Sequence, residues 1–372
     1  MSSSPASTPW RRSTRATRTC ATAATSAASS GTDQPLRQGG RTVTTTLPSQ
    51  PKRSIEHGKR EGFASLSQGG LNFDSFPMRL FSKGNGRQWN PADIDFSQDA
   101  EDFANMTDDE RWWTCALAAQ FLAGEESVTQ DLQPFVAAMA AEGRLADEMY
   151  LTQFVYEEAK HTMGFRRFFD AVGMTGDLHE FIEFNDGYME IFTKQLPDSL
   201  YALANDPSPR NQIRASVTYN HIVEGTLALT GYFAWSKVCT GRGILPGIQK
   251  LIKHIGDDER RHMAWGTFTC RRHVAADDAM WEVVDERMQE LMVPSMGVVT
   301  ATFDKYEGQD PPFAVDVSEM AEYAMDKLGR RLGAIESARG ANLLDIDVDA
   351  SPELLEEKFH AEDQEQLLAA AS

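Results

Sequence analysis

Cysteine is scarce in this sequence, and its four copies form no Cys-x-x-Cys pair: Cys20, Cys115, Cys239 and Cys270. This spacing argues against a disulfide framework and a cysteine zinc site, and it suits a reducing compartment, so we expect a cytoplasmic protein. No uncharged apolar run reaches the roughly 18 residues that a membrane-spanning helix needs. Segments with the strand period and a glycine-rich phosphate loop are also missing, so the sequence indicates neither a β-rich fold nor a P-loop.

The first 57 residues have few acidic side chains and no hydrophobic periodicity. They contain eight Lys and Arg residues against Asp33 and Glu56 alone, among many Ser, Thr and Ala residues. This composition is typical of a disordered tail, and the lack of an apolar core segment excludes a secretory signal. Three other interpretations stay open: a transit peptide, a non-functional extension, and a start site assigned too far upstream, with Val43 as the true initiator.

The rest of the chain is strongly acidic. Without the first 57 residues the sequence carries 28 basic and 53 acidic residues, a net charge of −25. Such a body repels the phosphate backbone, so we expect no nucleic acid partner. The apolar fraction of 41% is enough for a sizeable core. We expect one helical domain over residues 58–342 and an acidic C-terminal tail over residues 343–372.

Helical periodicity fills the chain from residue 107 onward. A capping box at Thr107–Glu110 predicts the start of the first helix. Residues 58–104 read as irregular, because Gly, Asn and Pro punctuate them. Glycine and proline signals place five helices at about 107–141, 146–172, 178–204, 209–239 and 248–275, with two or three more reaching residue 339. The pattern predicts an all-α bundle.

Two Glu-x-x-His pairs lie in apolar helical surroundings, Glu158/His161 and Glu259/His262. Residues three apart share a helix face, so the two side chains of each pair can bind one cation together. A single such pair is about as often an ordinary core histidine with a hydrogen-bond partner. The interpretation therefore depends on what the neighbouring helices supply.

Two further glutamates, Glu125 in the first long helix and Glu224 in the fourth, lie on apolar helix faces. Helices one, two, four and five then supply Glu, Glu-x-x-His, Glu and Glu-x-x-His, the pattern of ferritin-like dinuclear carboxylate proteins. Four carboxylates and two neutral imidazoles suit two divalent metals such as Fe or Mn, and the metals neutralise the buried charge. The sequence therefore predicts a ferritin-like bundle with a dinuclear metal site in its core.

Other charged residues near these motifs are predicted to have lesser roles. Asp258 is a natural acceptor for a histidine N–H, the alternative being a surface salt bridge with Arg260 or Arg261. Glu157 has a lysine rather than a histidine three residues later, so it is not predicted as a ligand. His221, three residues before the fourth glutamate, would add a ligand that the pattern does not need.

The sequence from about Gly69 to Arg339 resembles the small, radical-generating subunit of ribonucleotide reductase, and more closely its ligand-binding oxidase relatives. The matching segments are GGLNFDSFP, WNPADIDF, AGEESVTQDL, YEEAKHTMGFRRFF, TYNHIVEGTLALTGY, RGILPGI and DDERRHMAWG. The resemblance implies one Mn and one Fe per chain, with di-iron as the alternative. It also implies the ligand sets: Mn in site one with Glu125, Glu158 and His161, Fe in site two with Glu224, Glu259 and His262, and Glu158 bridging.

Two features favour the oxidase over the reductase subunit. Radical-generating subunits usually have a tyrosine four residues after the first motif's histidine, where this chain has Phe165. They also need a C-terminal tyrosine for radical transfer, whereas the last tyrosine here is Tyr323. A reductase small subunit without its own tyrosyl radical remains the alternative, and iron storage is a third.

The oxidase resemblance implies a bound long-chain fatty acid whose carboxylate touches the metals. It further implies O₂ as co-substrate, C–H oxidation of a lipid-related kind, a homodimer and peripheral contact with lipid. These oxidases carry an ether link between a valine and a tyrosine, and Val128 and Tyr219 match that pair. From the residues alone, Val128 reads as core packing and Tyr219 as a buried hydroxyl with a partner.

Overall fold

A computed structural model describes residues 62–306 and 309–370, so the predictions for residues 1–57 lie outside the described residues. This described part contains no strand, and fifteen α-helices make up most of it. Their bounds are α1 Phe76–Asn85, α2 Ser97–Ala104, α3 Asp108–Asp131, α4 Gln133–Ala141, α5 Leu145–Ala171, α6 Glu180–Glu183, α7 Asp186–Glu190, α8 Leu196–Asn205, α9 Pro209–Ser216, α10 Leu229–Thr240, α11 Pro246–Ala276, α12 Met280–Asp304, α13 Val317–Glu336, α14 Leu343–Ile346 and α15 Ser351–Ala370. Two π-helical segments, π1 (Ile191–Gln195) and π2 (Val217–Ala228), join them. The prediction of an all-α fold is confirmed.

The stretch predicted as irregular, residues 58–104, contains the helices α1 and α2. α1 begins after an extended Ser75, with a proline in its first turn. In α2, the carboxylate of Asp99 accepts the backbone N–H groups of Gly247 and Ile248, both over 2.8 Å. Those are N-terminal amides of α11 that lack intrahelical partners. Both helices are short, so periodicity does not reveal them, and α2 anchors the start of the helix that carries the second Glu-x-x-His motif.

Four elements carry the predicted ligands: α3, α5, π2 and α11. The capping box of α3 is confirmed, because Thr107 accepts from the Glu110 amide and the Glu110 carboxylate accepts from the Thr107 amide. The first predicted helix divides at Leu132, two residues before Pro134. α5 and α11 run without interruption, so they hold their motifs on a rigid backbone.

The third and fourth predicted helices are less regular than their periodicity suggests. Residues 178–204 form α6, α7, π1 and α8, with Pro197 in the first turn of α8 rather than at a kink within one helix. Residues 209–239 form α9, π2 and α10. π-helical turns are rare and occur mostly at functional sites. π2 contains both Tyr219 and Glu224.

The hydrophobic core consists of two clusters, and the predicted ligands lie between them. Along α5, Phe154 belongs to one cluster and Phe165 to the other. Along α11, Ile255 belongs to the second cluster and Trp265 to the first. Both Glu-x-x-His motifs therefore occupy polar layers enclosed by apolar packing.

The segment predicted as an acidic tail, residues 343–372, carries α14 and α15 in its described part. Its carboxylates pair with cations of the bundle, among them Glu353 with Lys83 over 2.5 Å and Asp349 with Arg271 over 2.6 Å. Apolar periodicity is weak here because charge pairs fix much of this segment. Within the described residues, no helix is both long enough and apolar enough to cross a membrane.

Candidate metal centre

The structure brings all six predicted ligands together. One group of ligand atoms comes from Glu125, Glu158, Glu259 and His161, and a second from Glu158, Glu224, Glu259 and His262; within each group the atoms lie within 4.8 Å of one another. All six side chains are buried. Glu158 and Glu259 take part in both groups, so the arrangement has two adjacent centres with shared carboxylates.

Both histidines face the carboxylates with the same ring nitrogen. Nδ1 of His161 lies 3.3 Å from a Glu125 oxygen and 3.4 Å from oxygens of Glu158 and Glu259. Nδ1 of His262 lies 2.9 Å from Glu158, 3.2 Å from Glu259 and 3.4 Å from Glu224. A ring nitrogen has at most one proton, so it cannot donate a good hydrogen bond to three oxygens.

The opposite ring nitrogens contact two outer carboxylates, and the contacts cross between the helices. Nε2 of His161 on α5 lies 3.3 Å from Asp258 on α11, and Nε2 of His262 on α11 lies 2.9 Å from Glu157 on α5. Arg261 Nη2 donates to both acids, over 2.7 Å each. Asp258 thus serves a histidine as predicted, but that of the other motif. Such outer acceptors orient a ligating imidazole and raise its basicity.

Glu157 was not predicted in this role. Its sequence signal is the position: an acid directly precedes the Glu of each motif, in EEAKH and in DERRH. Both motifs carry this extra acid, and in each case it contacts the histidine on the other helix. Sequence spacing alone does not show which histidine each acid will contact.

Two further groups stabilise the Asp258 carboxylate, one by a neutral hydrogen bond and one by its charge. The Trp89 indole donates to its Oδ2 over 2.8 Å, and Lys160 Nζ lies 3.1 Å from the same atom. Asp258 does form a salt bridge with Arg261, one of the two arginines in the alternative, but this pair is buried and not at the surface. Trp89 lies in the stretch predicted as irregular, so its role depends on a loop whose path periodicity cannot predict.

Burial and mutual repulsion set the protonation of the cluster. Burial raises the pKa of Glu125 and Glu224 well above the ordinary value. Burial disfavours charge on the histidines, but the carboxylates around them raise the pKa of both His161 and His262. Burial would also raise the pKa of Glu158, yet hydrogen bonds from the two histidines lower it. Cations and protons therefore compete for one site.

The residues fit two metal ions. Oε1 of Glu224 accepts no hydrogen bond of good geometry, although it is buried. Three carboxylate oxygens converge on each Nδ1, which is the arrangement of lone pairs that a bound cation satisfies. Both histidines are fixed from behind by acids, as is usual for metal-bound imidazole.

A cavity that opens to solvent, with about 830 Å³ of empty space including the open part, adjoins the cluster. Its lining includes the cluster residues Glu125, Glu158, Glu224 and Glu259 and many apolar side chains, such as Leu117, Phe192, Val299 and Phe303. Ligand sites are commonly apolar cavities with a few polar groups that fix orientation. This cavity can accept a long apolar molecule with a polar head at the cluster.

Val128 and Tyr219 line the same cavity beside the cluster. The Tyr219 hydroxyl donates to Oε1 of Glu158 over 2.8 Å, which is the hydrogen bond expected of a buried tyrosine. Val128 is buried on α3, one turn after Glu125. The structure thus places both residues of the predicted cross-link next to the predicted ligands.

His221 lies outside both groups of ligand atoms. Its ring is buried, and burial together with nearby Arg331 lowers the pKa to about 3. His221 is therefore not part of the cluster by position, in agreement with the four-Glu, two-His pattern.

A helical bundle around a buried cluster of four carboxylates and two histidines defines a ferritin-like protein with a dinuclear metal site. The family model for the ribonucleotide reductase small chain matches residues 78–336. An R2-like ligand-binding oxidase with an aerobically reconstituted Mn/Fe cofactor is 35% identical, with 74% of this chain and 98% of that chain covered and a TM-score of 0.71. An R2-like ligand-binding oxidase from Sulfolobus acidocaldarius is 34% identical, with 77% and 98% covered and a TM-score of 0.70.

The chain belongs to the ribonucleotide reductase small-chain family and, within it, to the R2-like ligand-binding oxidases. The resemblance stated from the sequence is confirmed. Membership places the chain among dinuclear metal enzymes of the oxidase type.

Proposed function

We propose that this protein is an O₂-dependent oxidase with Mn in site one, Fe in site two and a long-chain fatty acid in its cavity. Site one comprises Glu125, Glu158 and His161; site two comprises Glu224, Glu259 and His262, and Glu158 bridges. The observation that carries the proposal is the convergence of carboxylates and histidine Nδ1 atoms at the end of an apolar cavity. Similar proteins with Mn/Fe cofactors support the choice of metals.

The bound metals supply the oxidising power for a C–H bond, which amino acid side chains lack. The protein's own residues position and insulate the reaction. Glu157 and Asp258 fix the orientation of the two histidines, and Arg261 holds these acids in place. The apolar clusters on either side keep water away from the site.

The cavity favours a fatty acid over a small polar substrate. Its lining is largely apolar, and the four glutamates of the cluster are among its polar residues. Two bound metals would add cationic charge and coordination positions at the cluster, and both favour the binding of a carboxylate head. We therefore expect fatty acid binding to depend on metal binding.

Tyr219 and Val128 are proposed to form an ether link in an O₂-dependent reaction. The phenolic O–H and the valine Cβ–H are lost as the C–O bond forms, and the two electrons and two protons pass to O₂. Glu158 is placed to accept the phenolic proton, because the Tyr219 hydroxyl donates to it over 2.8 Å. A strong oxidant is needed, since a valine Cβ–H is unactivated.

The reductase subunit without its own radical remains the second candidate. Phe165 is buried in the core and stacks on Phe121, with 5.1 Å between ring centroids. Residues 351–370 form a helix that pairs with the bundle rather than a free docking segment. These observations favour the oxidase.

The decisive experiment loads metal-free protein with Mn(II) and Fe(II) and then adds O₂. We expect O₂ uptake with oxidation of the protein and no ribonucleotide reduction with any large subunit. Ribonucleotide turnover without protein oxidation would instead select the reductase, and a closed cage in solution would indicate iron storage.

The proposal also includes a homodimer, peripheral lipid contact and a cytoplasmic location. Sedimentation tests the homodimer, and cell fractionation tests the lipid contact and the location.

A further inference from the structure

The C-terminal helix reaches the metal centre through one buried arginine. Arg331 of α13 donates from Nε and Nη2 to the two carboxylate oxygens of Glu356 in α15, over 2.6 Å each. Its Nη1 donates to the backbone carbonyl of Gly225 over 3.0 Å. Gly225 directly follows Glu224, so one guanidinium connects α15 with the residue next to a predicted ligand.

The contact falls on a segment that depends on outside support. π-helical turns are rare and mostly single, whereas π2 extends over 12 residues. A Cβ at position 225 would lie 2.8 Å from the Asn220 carbonyl oxygen and 3.3 Å from Arg331 Nη1. Glycine therefore allows both the π-turn and the close approach of the arginine.

Glu224 is consequently held at two points. Asn220 Nδ2 donates to Oε2 of Glu224 over 2.9 Å, and this hydrogen bond fixes the orientation of the carboxylate. Arg331 fixes the backbone one residue later. The exposed fractions of Arg331 and Glu356 are 0% and 2%, so water cannot replace either partner. Loss of one partner of such a pair leaves an unpaired buried charge, which the structure relieves by moving.

We propose that Arg331 is a positioning residue for Glu224 and that Glu356 of α15 locks it, so that docking of the C-terminal helix completes metal site two. The inference rests on the proposed function for its metal readout. It assigns to the acidic C-terminal segment a role in the active site that it does not touch directly.

The test compares Glu356→Gln with Glu362→Gln. Glu362 also belongs to α15 and pairs with Arg330 over 2.8 and 3.0 Å, but Arg330 makes no contact with π2. Glu356→Gln should weaken the metal of site two by about 10-fold or more in competition with a chelator, as is typical for loss of an outer partner. Amide exchange around Gly225 should accelerate, and Glu362→Gln should leave both unchanged.

A second pair of variants separates positioning from folding. Arg331→Met with Glu356→Leu removes both charges and keeps apolar contact with α15, so the helix should stay resistant to protease while site two remains weak. The proposal fails if Glu356→Gln and Glu362→Gln have the same metal affinity at site two and the same amide exchange around Gly225. It also fails if the double variant binds metal normally at site two. If the wild-type protein bound no second metal, the proposed function would fail, while amide exchange in the metal-free protein would still decide whether Arg331 holds π2.

Discussion

Glu157 accepts a hydrogen bond from His262 across the interface between α5 and α11, with 2.9 Å between Oε2 and Nε2. In the same way, Asp258 on α11 contacts Nε2 of His161 on α5 over 3.3 Å. Each motif therefore supplies the outer acceptor for the other motif's histidine. The two sites are coupled through the protein as well as through shared carboxylates, because Arg261 bonds both acids.

This coupling makes Arg261 a sensitive position. Arg261→Met should weaken both metals by about 10- to 100-fold, since Glu157 and Asp258 lose their common partner and no longer orient the histidines. Arg260→Met is the matched control, because Arg260 pairs with Asp257 and contacts neither acid. Chelator competition measures both variants. An Arg261→Met protein with normal affinity would show that the outer network is not needed to orient the imidazoles.

Metal content tests the ligand assignment directly. We expect about two metals per chain by elemental analysis, and both Mn and Fe when both are supplied. The ordinary affinity order favours Fe over Mn, so a mixture means that site geometry or assembly overrides it. His262→Ala or Glu259→Ala should lower the content toward one. Retention of two metals in either variant would remove our assignment of site two.

The sequence predicts the ligands better than their surroundings. Glu158, His161, Glu259 and His262 could be found because buried ionisable residues at helical spacing demand compensation. The helical bundle could be predicted because apolar residues recur at helical spacing. Both features depend on residues that are close together in the sequence.

The rest depends on contacts between distant segments. Glu157 resembles a solvated acid until α11 places His262 beside it, and Trp89 lies on a loop without periodicity. The sequence of π2 contains no proline and a single glycine, so no local signal marks a widened turn. Glu356 is one of many acids in its segment, and only the burial of Arg331 distinguishes it.

The pH dependence of stability should differ between metal-free and metal-loaded protein. Glu125 and Glu224 have folded-state pKa values raised above 4.5, mainly by burial, and surrounding carboxylates raise those of His161 and His262 above 6.5 despite burial. These four groups thus bind more protons in the folded metal-free protein than in the unfolded chain, so their contribution to stability falls as pH rises above about 4.5. The lowered pKa of Glu158 acts only at lower pH, where its stabilisation is lost.

Metals displace those protons, so the rise in Tm on adding Mn(II) and Fe(II) should grow from about pH 5 to about pH 8. Thermal denaturation with and without metals measures the difference. In the metal-free protein, Glu125→Gln with Glu224→Gln should reduce the fall of Tm with rising pH, because neither amide titrates. A metal-induced Tm rise that shrinks with increasing pH would contradict the protonation state that we assign to the cluster.

Extraction of purified protein with organic solvent should release a long-chain fatty acid. Val299→Trp, which fills part of the cavity wall on α12, should abolish the lipid and retain both metals. Val293→Trp is the control on the same helix, because Val293 is 80% exposed and lies outside the cavity. Mass spectrometry of the extracts decides. Equal lipid in both variants would place the ligand elsewhere, and no lipid in the wild type would count against a ligand-binding oxidase.

The Tyr219–Val128 cross-link tests fold, site and reaction together. The two residues are far apart in sequence but line one cavity beside Glu158, whose carboxylate accepts the phenolic hydrogen bond. After loading with Mn(II), Fe(II) and O₂, the protein should weigh two hydrogens less, and a tryptic digest should join the two peptides in one species. Tyr219→Phe should lack this species but keep its metals, since the phenol is not among the six predicted ligands. Two separate peptides at full intensity from fully metallated, oxygen-exposed protein would make the reductase subunit the better assignment.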